Sequence, residues 1–236
     1  MSTKLIVALD VKSFDEAKEL VDLLSPEVGL FKVGSTLYTL AGRQIIEYIH
    51  SKGGEVFLDL KFFDIPNQVR GVSFAAASLG VEMFTIHLLG GREMALAAIE
   101  GVMEASQIHR LQKTPLILGV TILTSMNDSV IRNELKINAP VIDMVGYLAQ
   151  MGYDEGLRGF VCSPYEVEGL KKRFSDIKLV TPGVRLPGEV TGDQKRVMTP
   201  ADAKRLGSDY IVMGRSVYNS RHPMQTTRQI KEQLKD

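Results

Sequence analysis

The chain is poor in cysteine. Cys162 stands alone among 236 residues, which excludes an intramolecular disulfide and any Cys-x-x-Cys metal arrangement and fits a reducing compartment. Neither charge is in excess, since Lys plus Arg and Asp plus Glu number 28 each. No global basic field therefore invites nucleic acid and no polybasic helix suggests a membrane surface, so a ligand has to be recognised by local charge. No apolar run is long enough to span a bilayer, and the opening Met1-Ser2-Thr3-Lys4 carries no signal-peptide pattern, so a cytoplasmic location is expected. The stretch Ala8-Leu9-Asp10-Val11-Lys12 lacks the glycine-rich fingerprint that a dinucleotide-binding open sheet would place after its first strand. The histidines are scattered and predict no metal site: His50 and His109 fall near helix ends, His222 precedes Pro223, and His87 alone sits near a strand end, where a hydrogen-bonded structural role competes with a catalytic one. Cys162 lies within an apolar run and reads as an inert core thiol.

What the chain does have is alternation. Apolar, β-favouring runs occur at Leu5 to Leu9, Leu30 to Val33, Val56 to Leu60, Met83 to Leu88, Leu116 to Thr121, Phe160 to Cys162, Leu179 to Thr181 and Tyr210 to Met213. Between them lie segments of helical spacing. In the first, Phe14, Ala17, Leu20, Val21 and Leu24 oppose Asp15, Glu16, Lys18, Glu19 and Asp22, with Ser13 and Glu16 in a capping-box pattern. Further helices are predicted over Leu40 to Lys52, Asn67 to Leu79, Arg92 to Glu104, Pro140 to Met151, Tyr165 to Arg173, Pro200 to Leu206 and Met224 to Leu234, with Gly53, Gly80, Gly152 and Gly207 suited to helix ends. Uninterrupted apolar strands imply burial on both faces, hence a parallel sheet. Eight such units in a chain of this length predict an α/β fold, a single (β/α)8 TIM barrel over residues 1–236. The gap from Ile122 to Gly159 is the longest between strands, and its polar Ser125 to Ser129 suits a mobile loop or an extra helix.

In a barrel the site lies at the C-terminal ends of the strands, and charges gather there. Asp10 ends the first run, Lys32 interrupts the second, Asp59 and Lys61 end the third, and Asp64 follows just before a Pro that suits a first helical turn. Two residues apart on a strand, Asp59 and Lys61 leave the same face. Burying such a set is expensive, so it reads as a prepared site rather than a charge plug. Thr121 and Thr124 follow the fifth run. After the seventh and eighth, Thr181-Pro182-Gly183-Val184-Arg185 and Val212-Met213-Gly214-Arg215-Ser216 pair glycine amides with an arginine where barrels commonly hold phosphate.

The segment Asp59-Leu60-Lys61-Phe62-Phe63-Asp64-Ile65-Pro66-Asn67 resembles the DxKxxDIPN motif of the orotidine 5′-monophosphate decarboxylases. Ala8-Leu9-Asp10, Phe31-Lys32-Val33-Gly34, Gly119 to Ser125, Thr181 to Arg185, Gly192 to Arg196 and Met213-Gly214-Arg215 extend the resemblance over nearly the whole chain. It implies decarboxylation of orotidine 5′-monophosphate to UMP without a cofactor. Lys61 would protonate C6 of the pyrimidine, Asp59 would lie near the departing carboxylate, Lys32 would tie the ribose to Asp59, and Asp10 would bind a ribose hydroxyl. The resemblance further implies a homodimer in which Asp64 completes the partner's Lys32, Asp59, Lys61 array. Thr124 and Ser125 would face the base. Arg185, Gln194, Gly214 and Arg215 would hold the phosphate under a loop around Gly188 to Lys195, and Ile65, Gln68 and Pro182 would belong to the substrate-binding set. Gln68 stands where many members carry a hydroxyl residue.

Two alternatives share parts of this pattern. Metal-dependent sugar-phosphate decarboxylases and aldolases of the same superfamily have the Asp-x-Lys-x-x-Asp core but an acidic second strand, where Lys32 would repel a divalent cation. A non-catalytic barrel that binds a nucleotide phosphate would keep Gly214 and Arg215 but need no lysine set among acids.

Overall fold

Apolar β-rich runs have to cover both faces, and a parallel sheet closed on itself inside a ring of helices does so. The computed structural model describes residues 3–187 and 198–235 and has this architecture. Its strands are β1 Lys4–Ala8, β2 Leu30–Gly34, β3 Glu55–Phe62, β4 Met83–His87, β5 Leu116–Val120, β6 Gly159–Val161, β7 Lys178–Thr181 and β8 Tyr210–Met213. Each pairs in parallel with its sequence neighbour, and β8 closes on β1 through Lys4 opposite Tyr210 and Val7 opposite Met213. The helices are α1 Phe14–Leu24, α2 Ser35–Ala41, α3 Gln44–Ser51, α4 Pro66–Ser78, α5 Gly91–His109, α6 Val141–Asp154, α7 Val167–Arg173, α8 Pro200–Leu206, α9 Arg215–Tyr218 and α10 Pro223–Leu234.

Two apolar layers follow from the period of two. Leu9, Phe31, Val33, Val56, Leu58, Phe84 and Ile86 face outward and join the helices in the larger core. Ile6, Ala8, Leu30, Phe57, Met83, Leu118, Val180 and Val212 fill the inside of the barrel. Two residues beyond these inner positions, toward the C-terminal end, stand Asp10, Lys32, Asp59, Thr85, Val120, Pro182 and Gly214. The barrel therefore carries a filled apolar floor with a largely polar ring directly above it.

Several local readings need correction. The helix expected over Leu40 to Lys52 is broken: α2 ends at Ala41 and is capped by Gly42, whose φ of 56° needs a glycine, and α3 begins only at Gln44. Gly152 does not end a helix but lies inside α6, where a Cβ would come within 3.1 Å of Leu157 and Phe160; the helix is followed instead by Gly156 at φ 105°. Ser13 caps α1 by accepting the Glu16 amide at 3.1 Å, while the Glu16 carboxylate reaches the Lys12 amide rather than that of Ser13. In the gap after β5, for which a loop or an extra helix is expected, Asp128 and Ser129 open a short helical segment that continues as a π-type turn over Val130–Glu134.

The N-terminal end of the barrel is tied by ion pairs. Asp209 holds Lys171 at 2.7 Å and Lys178 at 3.0 Å and accepts the Leu179 amide, and Lys113 reaches Glu82. Burial pushes the Asp209 carboxyl up, but those hydrogen bonds and the Lys171 charge outweigh it and hold the group below its ordinary range.

Candidate active site

At the C-terminal mouth a cavity of about 250 Å³ opens onto the polar ring. Asp10, Lys32, Asp59 and Lys61 line one side and Pro182, Gly183, Arg185, Gly214 and Arg215 another, with Ile122, Leu123 and Thr124 between them. Strand geometry explains the first group. Gly34 pairs with Asp59 across β2 and β3, and Lys32, two residues back on the same face, extends over the floor toward both acids.

The charges form one chain of contacts. Lys32 Nζ lies 2.8 Å from Asp10 Oδ1 and 3.7 Å from Asp59 Oδ2, and Lys61 Nζ donates to Asp59 Oδ1 at 2.9 Å. Burial pushes the Asp59 carboxyl up, yet the ammonium groups of Lys32 and Lys61, with hydrogen bonds from Lys61 and Thr85, outweigh it and keep the acid below its ordinary value. Asp59 is therefore ionised at neutral pH. The Asp59 side chain is 14% exposed and that of Lys61 39%, so the acid is the sheltered anchor and the lysine the group open to a ligand. Such an ammonium can stabilise negative charge developing beside it and hand over a proton.

Lys61 reaches this position by a route that a regular strand does not offer. Leu58 pairs with Phe84 and Phe62 with Ile86, so Asp59, Leu60 and Lys61 stand opposite the single residue Thr85. Lys61 has φ 49°, left-handed backbone that an L-residue with a long side chain adopts at a cost of about 1–2 kcal/mol. A period-two strand accounts for Asp59 and Lys61 sharing a face only in outcome; a bulge of two extra residues produces it.

The opposite wall has the character of an anion site. Gly183, at φ 78°, exposes backbone in the turn after β7, and Gly214 leads into the short α9. At Gly214 a Cβ would stand 3.2 Å from the Tyr218 ring and 3.3 Å from Ala8, so glycine permits the close packing of this corner. The Arg185 guanidinium donates to the Val184 carbonyl at 2.9 Å while lining the cavity. Tyr218 lines the cavity as well, and burial, followed by the charge of Asp10, raises its phenol above its ordinary value.

Other expected site residues lie elsewhere in the single chain. Asp64 is exposed and its carboxylate accepts the amide of its own neighbour Ile65 at 2.7 Å; Ile65, Gln68 and Ser125 are exposed and do not line the cavity. Gln194 and the segment Gly188 to Lys195 lie outside the described residues. Thr121 is buried with its hydroxyl toward the Val161 carbonyl, 3.5 Å away. His87 accepts the Leu89 amide at Nδ1, 3.4 Å, and burial and then the Lys61 charge push its imidazole below the ordinary value, so it is a neutral structural group. Burial pushes the Cys162 thiol well above its ordinary value, which leaves it unreactive. Sequence reasoning missed Thr85 and Tyr218. Thr85 carried a signal, since it stands two residues past the floor residue Met83 as Lys32 does past Leu30; Tyr218, in a four-residue helix, carried none.

Comparison with known proteins bears on the whole chain. Residues 3–230 match the Orotidine 5'-phosphate decarboxylase / HUMPS family. An orotidine 5'-phosphate decarboxylase of Syntrophotalea carbinolica is 46% identical over 233 residues, 98% of this chain and 94% of that one. Its counterpart in Geotalea daltonii is 43% identical over 232 residues, 98% and 95% of the two chains. Among solved structures, orotidine 5'-phosphate decarboxylase from Lactobacillus acidophilus superposes with a TM-score of 0.87 at 33% identity, covering 100% of both chains.

Proposed function

The chain belongs to the orotidine 5'-phosphate decarboxylase / HUMPS family, and on that footing we propose that it is a carboxy-lyase that converts orotidine 5′-monophosphate to UMP, the last step of de novo UMP synthesis. The observation that carries the reading is the pairing of a partly open lysine, fixed by a sheltered ionised acid, with a glycine and arginine wall across one cavity.

In this reading the bond from C6 to the carboxylate breaks, its electron pair stays on C6, and carbon dioxide leaves. Lys61 Nζ faces the carbanion-like centre, lowers its energy while it forms, and gives it a proton. Asp59 lies against the departing carboxylate and holds Lys61 in place; Lys32 and Asp10 take ribose hydroxyls. Thr124, which lines the cavity, faces the base. Pro182 lines the substrate pocket, and Arg185, Gly214, Arg215 and Gln194 take the phosphate, whose binding far from the reacting carbon supplies energy for positioning.

The proposed assembly is a homodimer. Asp64 lies outside its own cavity, and its neighbours Phe63 and Ile65 expose 60% and 64% of their surface, apolar area suited to burial against a second copy. Asp64, Ile65 and Gln68 would then serve the partner's cavity. A cytoplasmic location accords with the single buried thiol; no helix among the described residues is long and apolar enough to cross a membrane.

A metal-dependent sugar-phosphate activity gains less support. The Lys32 ammonium stands between the two carboxylates that a divalent cation would need, 2.8 Å from Asp10, and among the described residues no group of three or more His, Cys, Asp or Glu side chains is placed to hold one. The test is turnover by purified protein, with a chelator present and no cofactor added, followed by the ultraviolet absorbance change from orotidine 5′-monophosphate to UMP. Conversion is expected; well-folded protein that converts none refutes the assignment.

A further inference from the structure

We infer that Thr85 is a positioning residue for the decarboxylation, its hydroxyl fastening the backbone and the carboxylate partner of Lys61 into one closed hydrogen-bonded ring. The inference rests on the function proposed above. Thr85 lies in β4, is fully buried, and stands alone opposite the three bulged residues Asp59, Leu60 and Lys61. The Lys61 amide donates to Thr85 Oγ1 at 2.8 Å, the Thr85 hydroxyl donates to Asp59 Oδ1 at 3.1 Å, and the Lys61 ammonium donates to the same Asp59 oxygen at 2.9 Å. The ring thus runs from the backbone of Lys61 through Thr85 and Asp59 to the side chain of Lys61.

Each contact has work to do. With φ at 49° the Lys61 amide is turned out of the regular ladder, and a buried N–H without an acceptor is costly. A hydroxyl is the one small group that accepts from that amide and donates to the carboxylate at once, with one proton and free lone pairs. Valine has the same shape and can do neither. A serine would supply the hydroxyl too, without the β-branched methyl that favours a strand. The site therefore depends on a residue that touches no substrate: it sets the direction from which the Lys61 side chain leaves the strand and the rotation of the carboxylate that holds it.

The experiment compares Thr85→Val and Thr85→Ser with the parent chain in the same orotidine 5′-monophosphate assay, with thermal melting as a check of folding. Thr85→Val is expected to lose kcat by roughly 10- to 100-fold with KM changed by less than about threefold, because the lost contacts aim the proton donor rather than bind the nucleotide. Thr85→Ser is expected to retain kcat within about threefold of the parent. A folded Thr85→Val chain with parental kcat overturns the inference, as does an equal loss in both variants, which would assign the effect to the methyl. If Thr85→Val does not melt cooperatively, Thr85→Ala, which removes bulk instead of exchanging it, is judged by the same kcat criterion. Absence of turnover by the parent chain would strike at the proposed function, whereas an active parent with an active Val variant strikes only at Thr85.

Discussion

Gly34 lends itself to a prediction whose size follows from the geometry. Its backbone, at φ −92° and ψ 176°, suits any residue, so Gly34→Ala imposes no strain on β2. The added Cβ would lie 3.0 Å from Lys32 Nζ and 3.3 Å from Asp10 Oδ1, closer than ordinary contact. Because Nζ ends a flexible side chain, it can retreat by about 0.5 Å to reach the usual separation. If the 2.8 Å pair with Asp10 lengthens by that amount, Coulomb attraction falls by about 1 kcal/mol at an effective dielectric constant of about 20, and by about half that where the half-exposed Asp10 meets solvent. Lost from the arrangement that receives the ribose, this corresponds to a fall of about two- to fivefold in kcat/KM. Stability should hardly change, since replacing Gly by Ala at a compatible backbone position gains about 0.4–1 kcal/mol through the unfolded chain. Steady-state kinetics and a thermal melt test both parts. Unchanged kcat/KM would show that the Lys32 position does not matter to turnover, and a loss beyond a hundredfold would mean that more than one ion pair had been disturbed.

Lys61→Ala should abolish measurable turnover while UMP binding, read by calorimetry, stays within roughly tenfold of the parent; turnover above a few per cent would remove Lys61 from the proton-donor role. Inactive Asp64→Ala and inactive Lys61→Ala chains, mixed under conditions that exchange subunits, should recover activity up to roughly a quarter of the parental level through hybrid dimers that hold one intact site, and no recovery would refute the shared site. Folding stability should fall as pH drops below about 6.5. Burial pushes both His50 and His87 below their ordinary value, with Glu55 partly opposing this at His50 and Lys61 adding to it at His87. The unfolded chain then binds more protons than the folded one, and the stability present above the unfolded value is lost as pH falls through the folded values. Melts at pH 7.5 and 5.5 should show a smaller difference in His87→Gln than in the parent, and equal differences would contradict the assignment of a buried neutral imidazole.

The barrel was legible because its strands are short, largely apolar runs, and the cavity because Lys32, Asp59 and Lys61 break two of those runs where nothing in a core would tolerate them. The same logic hid Thr85. A β-branched residue inside a strand reads as ordinary sheet material; its spacing from Met83 marks the inner face, but the register of β3 against β4 is what gives its hydroxyl a purpose. The bulge left no mark either, since Lys61 takes a left-handed conformation that sequence habitually assigns to glycine or asparagine. Gly152 misled for the converse reason: near the end of a periodic segment it looks like a helix stop, but its missing side chain makes room for Leu157 and Phe160. Whether Asp64 serves a neighbouring cavity depends on a second chain, and a pattern along one chain constrains that only through the charge beside exposed Phe63 and Ile65.

The ion pairs at the N-terminal end of the barrel give the molecule two independent halves. Around Asp209, Lys171 and Lys178 the charges serve only one another, whereas at the other mouth Lys61 and Asp10, though also paired within the chain, line a cavity that an outside molecule can enter. Durability and chemistry are thus written on opposite rims, separated by the layer of Ile6, Leu30, Phe57, Met83, Leu118, Val180 and Val212. A lineage moving to a hotter habitat could rework the first rim residue by residue without asking anything of the second.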